Sequence, residues 1–442
     1  MTTTPGAQSR AVPPGPSGLP LVGSTLAFGS DPLEFAARVA REHGSMASYE
    51  ISGTRVYQLN DPDLIEHVLV HHNENYVKGE VFQNVLQPSL GNGLITSEGD
   101  LWREQRQLLQ QAFSPELIAG YADVMVDATE RLLADWESGT VRDVHADMMH
   151  LTVEIAAKAL FDVDVREMEA DISDALETLM DHTTMNLQRP VKVPLWVPTP
   201  ANRRYQRALD ALDDIAERVV AQHDRDGEGT DVVSLLLADR DPDDPLVRDQ
   251  IVTFLLAGHE TTALALTYTL HALGRTSDAE RTLHEELDAV LGDGLSLAED
   301  LPSLPVLDRT VTEGLRLYPP AWELIREADE DDQIGSYHVP AGTTIMMHPW
   351  VLQRDPRYYD DPDAFRPERW AGEESDRPTF AYFPFGGGPR RCIGDRFARL
   401  EAELVLATIC RDWRLDPLDD LSFSPSITLR PDGPVRMRVE RR

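Results

Sequence analysis

The ten residues FGGGPRRCIG, at positions 385–394, place a cysteine directly before a long amphipathic segment. This pattern predicts that Cys392 stands at the start of a helix that continues to about Trp413. A thiolate there would lie near loop N–H groups and a helix N-terminus, and both stabilise negative charge. Such a thiolate is suited to be a permanent metal ligand.

The neighbours of Cys392 also fit a large ligand. Glycines allow a tight turn and let the backbone lie flat against a planar molecule, because no Cβ holds the chain away. Phe385 can cover the sulfur from solvent, and Arg390 offers a fork of donors to a carboxylate of the same ligand. The alternative is a structural cysteine that is buried behind a glycine-rich turn.

Five residues carry a family resemblance: Phe385, Gly388, Arg390, Cys392 and Gly394 match Phe-x-x-Gly-x-Arg-x-Cys-x-Gly. The match resembles the haem-binding loop of cytochrome P450. It implies haem b, iron protoporphyrin IX, as cofactor and Cys392 as the axial iron ligand. Further motifs follow the family's order over nearly the whole chain, which implies the P450 triangular prism fold, mainly α with a small β-rich region.

A second motif lies in a predicted helix of roughly 30 residues, 246–275. Its centre, AGHETT at 257–262, has a glycine, an acid and two hydroxyls where a core helix is normally apolar. A Thr261 hydroxyl that donates to the carbonyl of Ala257 would loosen the backbone ladder and bend the helix. A groove at such a bend could hold dioxygen beside a metal. The alternative is a polar kink that serves packing alone.

This centre resembles the family's Ala/Gly-Gly-x-Asp/Glu-Thr motif. The resemblance implies that Ala257 and Gly258 contact the haem and that Glu260 and Thr261 are the catalytic pair that supplies protons. For His259 we expect a structural or gating role rather than metal ligation.

Four residues match positions that hold the haem propionates in the family: Trp102, Arg106, Arg326 and Arg390. Trp102 and Arg106 lie four apart in a helix predicted over 100–111, so they share one face. As a bare spacing, a surface arginine beside a half-buried tryptophan fits equally well.

A buried ion-pair cluster is implied by Glu313 and Arg316, which match the family's Glu-x-x-Arg, and by Arg369 farther along. Its expected role is structural, to pin the segment that carries the haem loop. An exposed pair with the same spacing would contribute only about 0–1 kcal/mol.

The composition limits the functions that the chain can have. With 41 basic and 76 acidic residues the formal net charge is −35, which excludes a general affinity for nucleic acid. Two cysteines cannot form a disulfide framework, so we expect Cys410 to be a helix-core residue in a reducing compartment. We see neither a signal peptide nor a transmembrane anchor, and expect a cytoplasmic protein, whose acidity indicates a salt-accumulating prokaryote.

The chain reads as a proline-rich N-terminal strap, 1–30, followed by a single haem domain, 31–442. Alternating residues over 47–60 with a Ser52-Gly53 turn predict a hairpin near the N-terminus. Residues 79–99 read as a loop with scattered apolar residues.

We therefore expect a monooxygenase that activates dioxygen and hydroxylates an apolar small molecule: a lipid, a terpenoid or a carotenoid-like compound. Ferredoxin and ferredoxin reductase are the expected electron donors, by family resemblance. A peroxide-using or isomerising haem-thiolate enzyme and a haem-based sensor are the alternatives. Candidate pocket residues are apolar: Phe82, Val85, Leu94, Ile95, Leu255, Ala263, Leu324 and Ile427.

Overall fold

A computed structural model of the protein describes residues 11–20, 22–164, 168–188, 193–223, 229–291, 300–372 and 377–442. The chain divides into two compact units. The sheet unit comprises Met1–Asn84, Ala321–Pro362 and Glu374–Cys392, and the helical unit comprises Val85–Pro320, Asp363–Glu373 and Ile393–Arg442. The predicted division into a strap, 1–30, and one domain, 31–442, stays a prediction.

The described part of the chain is mainly helical. Its α-helices are α1 Thr25–Ser30, α2 Pro32–His43, α3 Pro62–Glu66, α4 Gly79–Leu90, α5 Gly99–Leu109, α6 Pro115–Gly120, α7 Ala122–Ala134, α8 Val144–Phe161, α9 Glu169–Gln188, α10 Pro200–Ala221, α11 Val232–Asp239, α12 Pro245–Gly274, α13 Ser277–Leu291, α14 Pro305–Leu317, α15 Pro349–Leu352 and α16 Asp395–Asp412. A π-helix, His67–His71, follows α3 directly.

The strands are short: β1 Met46–Ile51, β2 Thr54–Leu59, β3 Tyr76–Val77, β4 Val141–Asp143, β5 Leu324–Ala328, β6 Asp332–Ile334, β7 Tyr337–Val339, β8 Thr344–Met347, β9 Trp413–Pro417, β10 Phe423–Pro425, β11 Leu429–Pro431 and β12 Arg436–Arg441. The sheet unit holds a five-stranded sheet in the order β1-β2-β8-β5-β3 and the β6–β7 hairpin. The helical unit holds the sheets β4-β12-β9 and β10-β11.

The predicted N-terminal hairpin is confirmed. Strands β1 and β2 pair antiparallel from Met46 opposite Leu59 to Ile51 opposite Thr54. The turn between them has positive φ at Ser52, 51°, and at Gly53, 81°. Two positive φ angles give a turn whose twist matches that of the strands, so the sequence Ser-Gly selects the tight connection.

The proline-rich segment lies along β1. The N–H of Ser48 donates to the carbonyl of Pro14 at 2.8 Å, and its hydroxyl donates to the carbonyl of Pro13 at 2.7 Å. A Cβ at Gly15 would come within 1.7 Å of the Ser48 carbonyl oxygen, so only glycine allows this close approach. The last residues of the predicted strap form α1, which the sequence did not predict.

Helix α12 is the longest described helix, with 30 residues or about 45 Å. Asp244 caps it by accepting from the N–H of Leu246 at 2.9 Å, and Pro245 occupies the first turn, where its missing N–H costs nothing. It packs against α8, α14 and α16 inside the helical unit. The helix predicted over 246–275 is therefore confirmed.

The loop predicted over 79–99 is wrong for its first half, because α4 occupies Gly79–Leu90. Pro88 lies inside this helix, where it removes a backbone donor, and that breaker favoured the loop prediction. Burial of Leu86 and Leu90 on one face stabilises the helix in spite of Pro88. Within the described ranges, no helix combines the length and apolarity that crossing a membrane requires.

Candidate active site

The cysteine loop ends the sheet unit. The N–H of Cys392 donates to the carbonyl of Phe385 at 3.0 Å and closes the loop around a 3-10 turn, Gly388–Arg390. Phe385 and Arg390 are both partly buried. Cys392 is exposed and forms no disulfide. The sulfur of Cys392 is therefore accessible to a ligand.

Two of the three glycines are required by the protein's own packing. A Cβ at Gly387 would lie 2.4 Å from the Phe380 ring, and one at Gly388 would lie 1.8 Å from the carbonyl oxygen of Leu69. Gly388 also has a φ of 66°, a left-handed value that favours glycine. From the sequence, we attributed these glycines to contact with a planar ligand. Close contact with neighbouring protein segments is sufficient to explain Gly387 and Gly388.

Helix α16 begins immediately after the loop, as predicted. Gly394 occupies its N-cap position, and its carbonyl accepts from the N–H of Ala398 at 2.8 Å. Cys410, near the other end, is 2% exposed, and burial raises the pKa of its thiol to about 12. Cys410 is thus an inert core residue, as the sequence indicated.

The centre of α12 has a partly exposed face in an otherwise buried stretch. Between Asp249 and Leu273 every residue is buried except Ala257, Gly258 and Thr261. These three lie at spacings of one and four residues, so they share one face of the helix. Of the four residues that the sequence selected at this centre, Ala257, Gly258 and Thr261 belong to the partly exposed face. The fourth, Glu260, is buried and lies off that face.

The backbone carbonyls at this centre accept hydrogen bonds from side chains. The hydroxyl of Thr261 donates to the carbonyl of Ala257 at 2.8 Å, as predicted, and the hydroxyl of Thr152 in α8 donates to the carbonyl of His259 at 2.9 Å. Side-chain donors of this kind compete with the helix ladder.

Glu260 is 2% exposed and is held by two residues of the C-terminal region. The hydroxyl of Thr428 donates to Glu260 Oε1 at 2.9 Å, and the guanidinium of Arg430 forms an ion pair with the same oxygen. Arg430 also lies 3.4 Å from Asp181 in α9. Sequence reasoning missed Thr428 and Arg430, because no spacing rule connects them with a residue 168 or 170 positions away.

His259 is a buried, neutral residue of the helix core. It is 1% exposed, and burial lowers its pKa to about 4, so the ring is uncharged at physiological pH. Its Nδ1–H donates to the carbonyl of Leu255 at 3.1 Å. These features agree with the structural role expected from the sequence.

The four residues predicted to bind propionates come from two elements and one loop. Trp102 and Arg106 are partly buried on one face of α5, in the helical unit. Arg326 is 7% exposed in β5 and donates to the carbonyl of Ile325 at 2.7 Å, and Arg390 belongs to the cysteine loop. Their common role as a carboxylate clamp stays a prediction.

Glu313 is the centre of a buried cluster in the helical unit. Its carboxylate accepts from Arg316 at 2.8 and 2.9 Å and from Arg369 at 2.9 Å. The Trp370 indole donates to it at 2.8 Å, and the N–H of Arg366 donates at 2.9 Å. The predicted burial is confirmed, since the side chains of Glu313 and Arg316 are fully buried and that of Arg369 is 8% exposed.

Comparison with known proteins identifies the family. The family model described as cytochrome P450 matches residues 13–434. This chain belongs to the cytochrome P450 family. It is 37% identical over 441 residues to cyclooctatin synthase of Streptomyces melanosporofaciens, a match that covers 97% of this chain and 95% of that protein.

Two further matches support this membership. Pentalenene oxygenase of Streptomyces avermitilis is 34% identical over 434 residues, covering 96% of each chain. The crystal structure of CYP175A1 from Thermus thermophillus superposes with a TM-score of 0.78 and 29% identity, covering 93% of this chain and 96% of that one. The predicted P450 fold and the monooxygenase class are therefore confirmed.

The family implies a haem cofactor, and the residues of this chain fit one. Cys392 presents an accessible sulfur on a loop closed by its own N–H, and the face of Ala257, Gly258 and Thr261 is the uncovered part of the α12 centre. A Cβ at Gly258 would meet Ala156 and Leu160 at ordinary distances, 3.7 and 3.8 Å, so packing against α8 does not itself require glycine there.

Proposed function

We propose that this P450 binds haem b through Cys392 and hydroxylates an apolar small molecule of the terpenoid or lipid type. The uncovered face of α12 is the observation that carries this proposal. The rest of the helix between residues 249 and 273 is buried, so this face is the part of the segment that a ligand can contact.

The residues that would hold the haem are named by the family motifs. Cys392 would ligate the iron through its thiolate, Phe385 and Gly394 would flank the sulfur, and Ala257 and Gly258 would contact the haem. Trp102, Arg106, Arg326 and Arg390 would bind the propionates. In cytochromes P450 the thiolate-bound haem supplies the activation of dioxygen, since the thiolate favours O–O cleavage.

Thr261 and Glu260 are the proposed catalytic pair. The Thr261 hydroxyl lies on the open face and already has an acceptor, the Ala257 carbonyl at 2.8 Å, so its lone pairs are directed away from the backbone. Glu260 precedes it in the buried interior, fixed by Thr428 and Arg430. We assign Glu260 the role of proton donor and acceptor, and Arg430 the role of holding its carboxylate in place.

The substrate class rests on apolar residues and on the names of relatives. Val85, Ile95 and Ile427, three of the candidate pocket residues, are partly exposed apolar side chains of the helical unit. Three others are buried by the protein itself: Leu94, Leu255 and Ala263. Relatives are named cyclooctatin synthase, cyclooctat-9-en-7-ol 5-monooxygenase and pentalenene oxygenase. A terpenoid is therefore the substrate to test first.

Electron donors and cellular setting complete the proposal. We assign electron delivery to a ferredoxin and its reductase, and we assign the protein to the cytoplasm of a salt-accumulating prokaryote. The net charge of −35 and the presence of only three lysines, Lys78, Lys158 and Lys192, support the second assignment.

The test is oxygen incorporation. Haem-loaded protein, ferredoxin, ferredoxin reductase and NADPH are supplied with a panel of terpenes and fatty acids under isotopically labelled dioxygen. We expect one labelled oxygen in a hydroxylated terpene, together with a low-spin to high-spin shift on substrate binding. Product that forms with peroxide but never with the electron-transfer proteins would overturn the proposal in favour of a peroxide-using enzyme.

A further inference from the structure

A cluster of two histidines and one aspartate lies in the sheet unit, apart from every residue assigned above. It comprises His67 and His72 at the two ends of one helical turn and Asp332 at the start of β6. One potential ligand atom from each residue lies within 4.8 Å of the others. We propose that this His-His-Asp cluster is a binding site for a divalent transition metal ion, with zinc as the preferred ion.

The backbone is shaped to bring the two histidines together. Residues His67–His71 form a π-helix, and the N–H of His72 donates to the carbonyl of His67 at 2.8 Å. In an α-helix, residues five apart point about 140° away from each other, because each residue turns about 100°. A π-turn has more residues per turn than an α-helix, so the angle between the two side chains is smaller. The rings of His67 and His72 stack with centroids 4.0 Å apart. π-Helical turns are rare and are frequently found at functional sites.

The potential ligand atoms lie close enough together to surround one four-coordinate ion after small shifts. His67 Nε2 lies 2.8 Å from Asp332 Oδ2, and His72 Nδ1 lies 3.6 Å from Asp332 Oδ1. Ligands bound to zinc at about 2.0–2.1 Å in a tetrahedron lie roughly 3.3 Å from one another. Imidazole nitrogens and a carboxylate are ligands that zinc accepts.

The carboxylate is oriented before any ion binds. The hydroxyl of Tyr76 donates to Asp332 Oδ2 at 2.6 Å, and the N–H of Gln333 donates to Oδ1 at 2.7 Å. Outer partners that fix a ligand in this way are typical of metal sites.

The cluster remains accessible to an ion. The side chain of Asp332 is 11% exposed, that of His67 is 22% exposed and that of His72 is 49% exposed. An ion can therefore enter from the side of His72 and keep a water molecule as its fourth ligand.

A metal here would stabilise the cysteine loop. The same π-turn carries Leu69, whose carbonyl oxygen packs against Gly388 so closely that no Cβ fits. An ion that joins this turn to β6 restrains the segment on which the loop rests. The site is structural, because its contact with the loop passes through the Leu69 backbone.

The test uses haem-loaded protein freed of other metals by a chelator and titrated calorimetrically with zinc chloride. We expect one zinc ion per chain and a higher thermal midpoint with zinc. His72→Ala should abolish binding, and Tyr76→Phe should weaken it about 10–100-fold. His71→Ala is the matched control: it removes an exposed histidine of the same turn, 62% exposed, and should leave zinc affinity unchanged.

Absence of zinc binding by the unmodified protein would overturn the proposal, as would equal affinity in His72→Ala. Equal loss in His71→Ala and His72→Ala would also overturn it, because it would show unspecific surface binding. Each variant is first compared with the unmodified protein in the absence of zinc, by far-ultraviolet circular dichroism and by the absorption of the haem. Magnesium should produce no comparable heat, since its octahedral site needs more oxygen ligands.

Discussion

Thr261 combines a hydrogen bond that the sequence predicts with an exposure that only the structure gives. Its hydroxyl makes the predicted contact with the Ala257 carbonyl, and it belongs to the open face of α12. A helical threonine commonly bonds to the carbonyl four residues earlier, so this contact could be predicted from spacing alone. Its exposure could not, since exposure depends on what packs around the helix.

We predict that Thr261→Ala still binds haem and substrate but loses coupling, because the proposed role of the hydroxyl is proton delivery and not ligation of iron. Most reducing equivalents should then leave as peroxide or water instead of product. The measurement is the ratio of product formed to NADPH consumed.

Thr267→Ala is the matched control for this experiment. Thr267 lies in the same helix, is fully buried and donates to the Ala263 carbonyl at 2.7 Å. Its loss removes a hydroxyl with the same backbone contact away from the open face, so coupling should be preserved. Unchanged coupling in Thr261→Ala would remove this residue from the mechanism.

The partners of Glu260 could not be predicted from the sequence. The family motif indicates that an acid stands at this position, but Thr428 and Arg430 reach it only through the fold of the C-terminal hairpin, β10–β11. Long-range pairings of this kind leave no periodic signal in a single sequence. The partners of a buried charge are therefore what the structure adds.

Among the elements, the helix predicted over 246–275 could be found from the sequence because its local pattern and its structure agree. Asp61 and Asp244 cap helices with proline at the first position, and both helices begin where these residues indicate. Helix α4 was missed because Pro88 is a strong local breaker. Burial of its apolar face outweighs that local preference, and burial is a tertiary effect.

The Glu313 cluster connects α14 with the segment Pro367–Trp370. We predict that Glu313→Gln lowers the free energy of unfolding by about 3–5 kcal/mol, because it leaves the buried guanidinium of Arg316 without its full counter-charge. Denaturant unfolding of the haem-loaded protein measures the change.

The control for this variant is Glu368→Gln. Glu368 is 64% exposed and pairs with Arg366 at 3.0 Å, so its neutralisation should change the free energy by no more than about 0.5 kcal/mol. A loss of similar size in both variants would show that burial does not determine how much the Glu313 cluster contributes to the free energy of unfolding.

At the scale of the whole molecule, charge is the feature that family membership leaves unexplained. A net charge of −35 produces repulsion that disfavours the compact state. The screening length is about 10 Å at 0.1 M ionic strength and about 3 Å at 1 M, so concentrated salt suppresses repulsion between neighbouring acids. Many acids are also paired with arginines on the surface, such as Asp419 with Arg436 at 2.8 Å.

We predict that the thermal midpoint rises with KCl between about 0.1 M and about 2 M, and that haem is retained only toward the upper end. Far-ultraviolet circular dichroism and the haem absorption band follow fold and cofactor separately. Sucrose at matched osmolality is the control for effects of the solvent that do not depend on charge. A midpoint that stays flat across this range would reject adaptation to salt.

The proposed electron delivery by a ferredoxin requires a basic area on the acidic surface. Arg396, near the start of α16, is exposed, and its side chain forms no ion pair among the described residues. Arg399, in contrast, is paired with Asp308 at 2.5 Å. We predict that Arg396→Glu slows ferredoxin-dependent turnover several-fold and leaves peroxide-driven turnover intact.

The comparison variant is Arg438→Glu, which makes the same change of charge at an exposed residue of β12. Because general repulsion of an acidic ferredoxin would affect both variants, a specific contact requires a larger effect at Arg396. Equal loss in the ferredoxin and peroxide assays would indicate structural damage instead.

Cys392, and not Cys410, is the proposed ligand of the haem iron. The reduced, carbon-monoxide-bound protein tests it through the absorption band that is characteristic of haem-thiolate proteins. We predict that the unmodified protein shows this band, that Cys410→Ser keeps it, and that Cys392→His loses it while still binding haem. A band that persists in Cys392→His, or that disappears only in Cys410→Ser, would show that Cys392 is not the iron ligand.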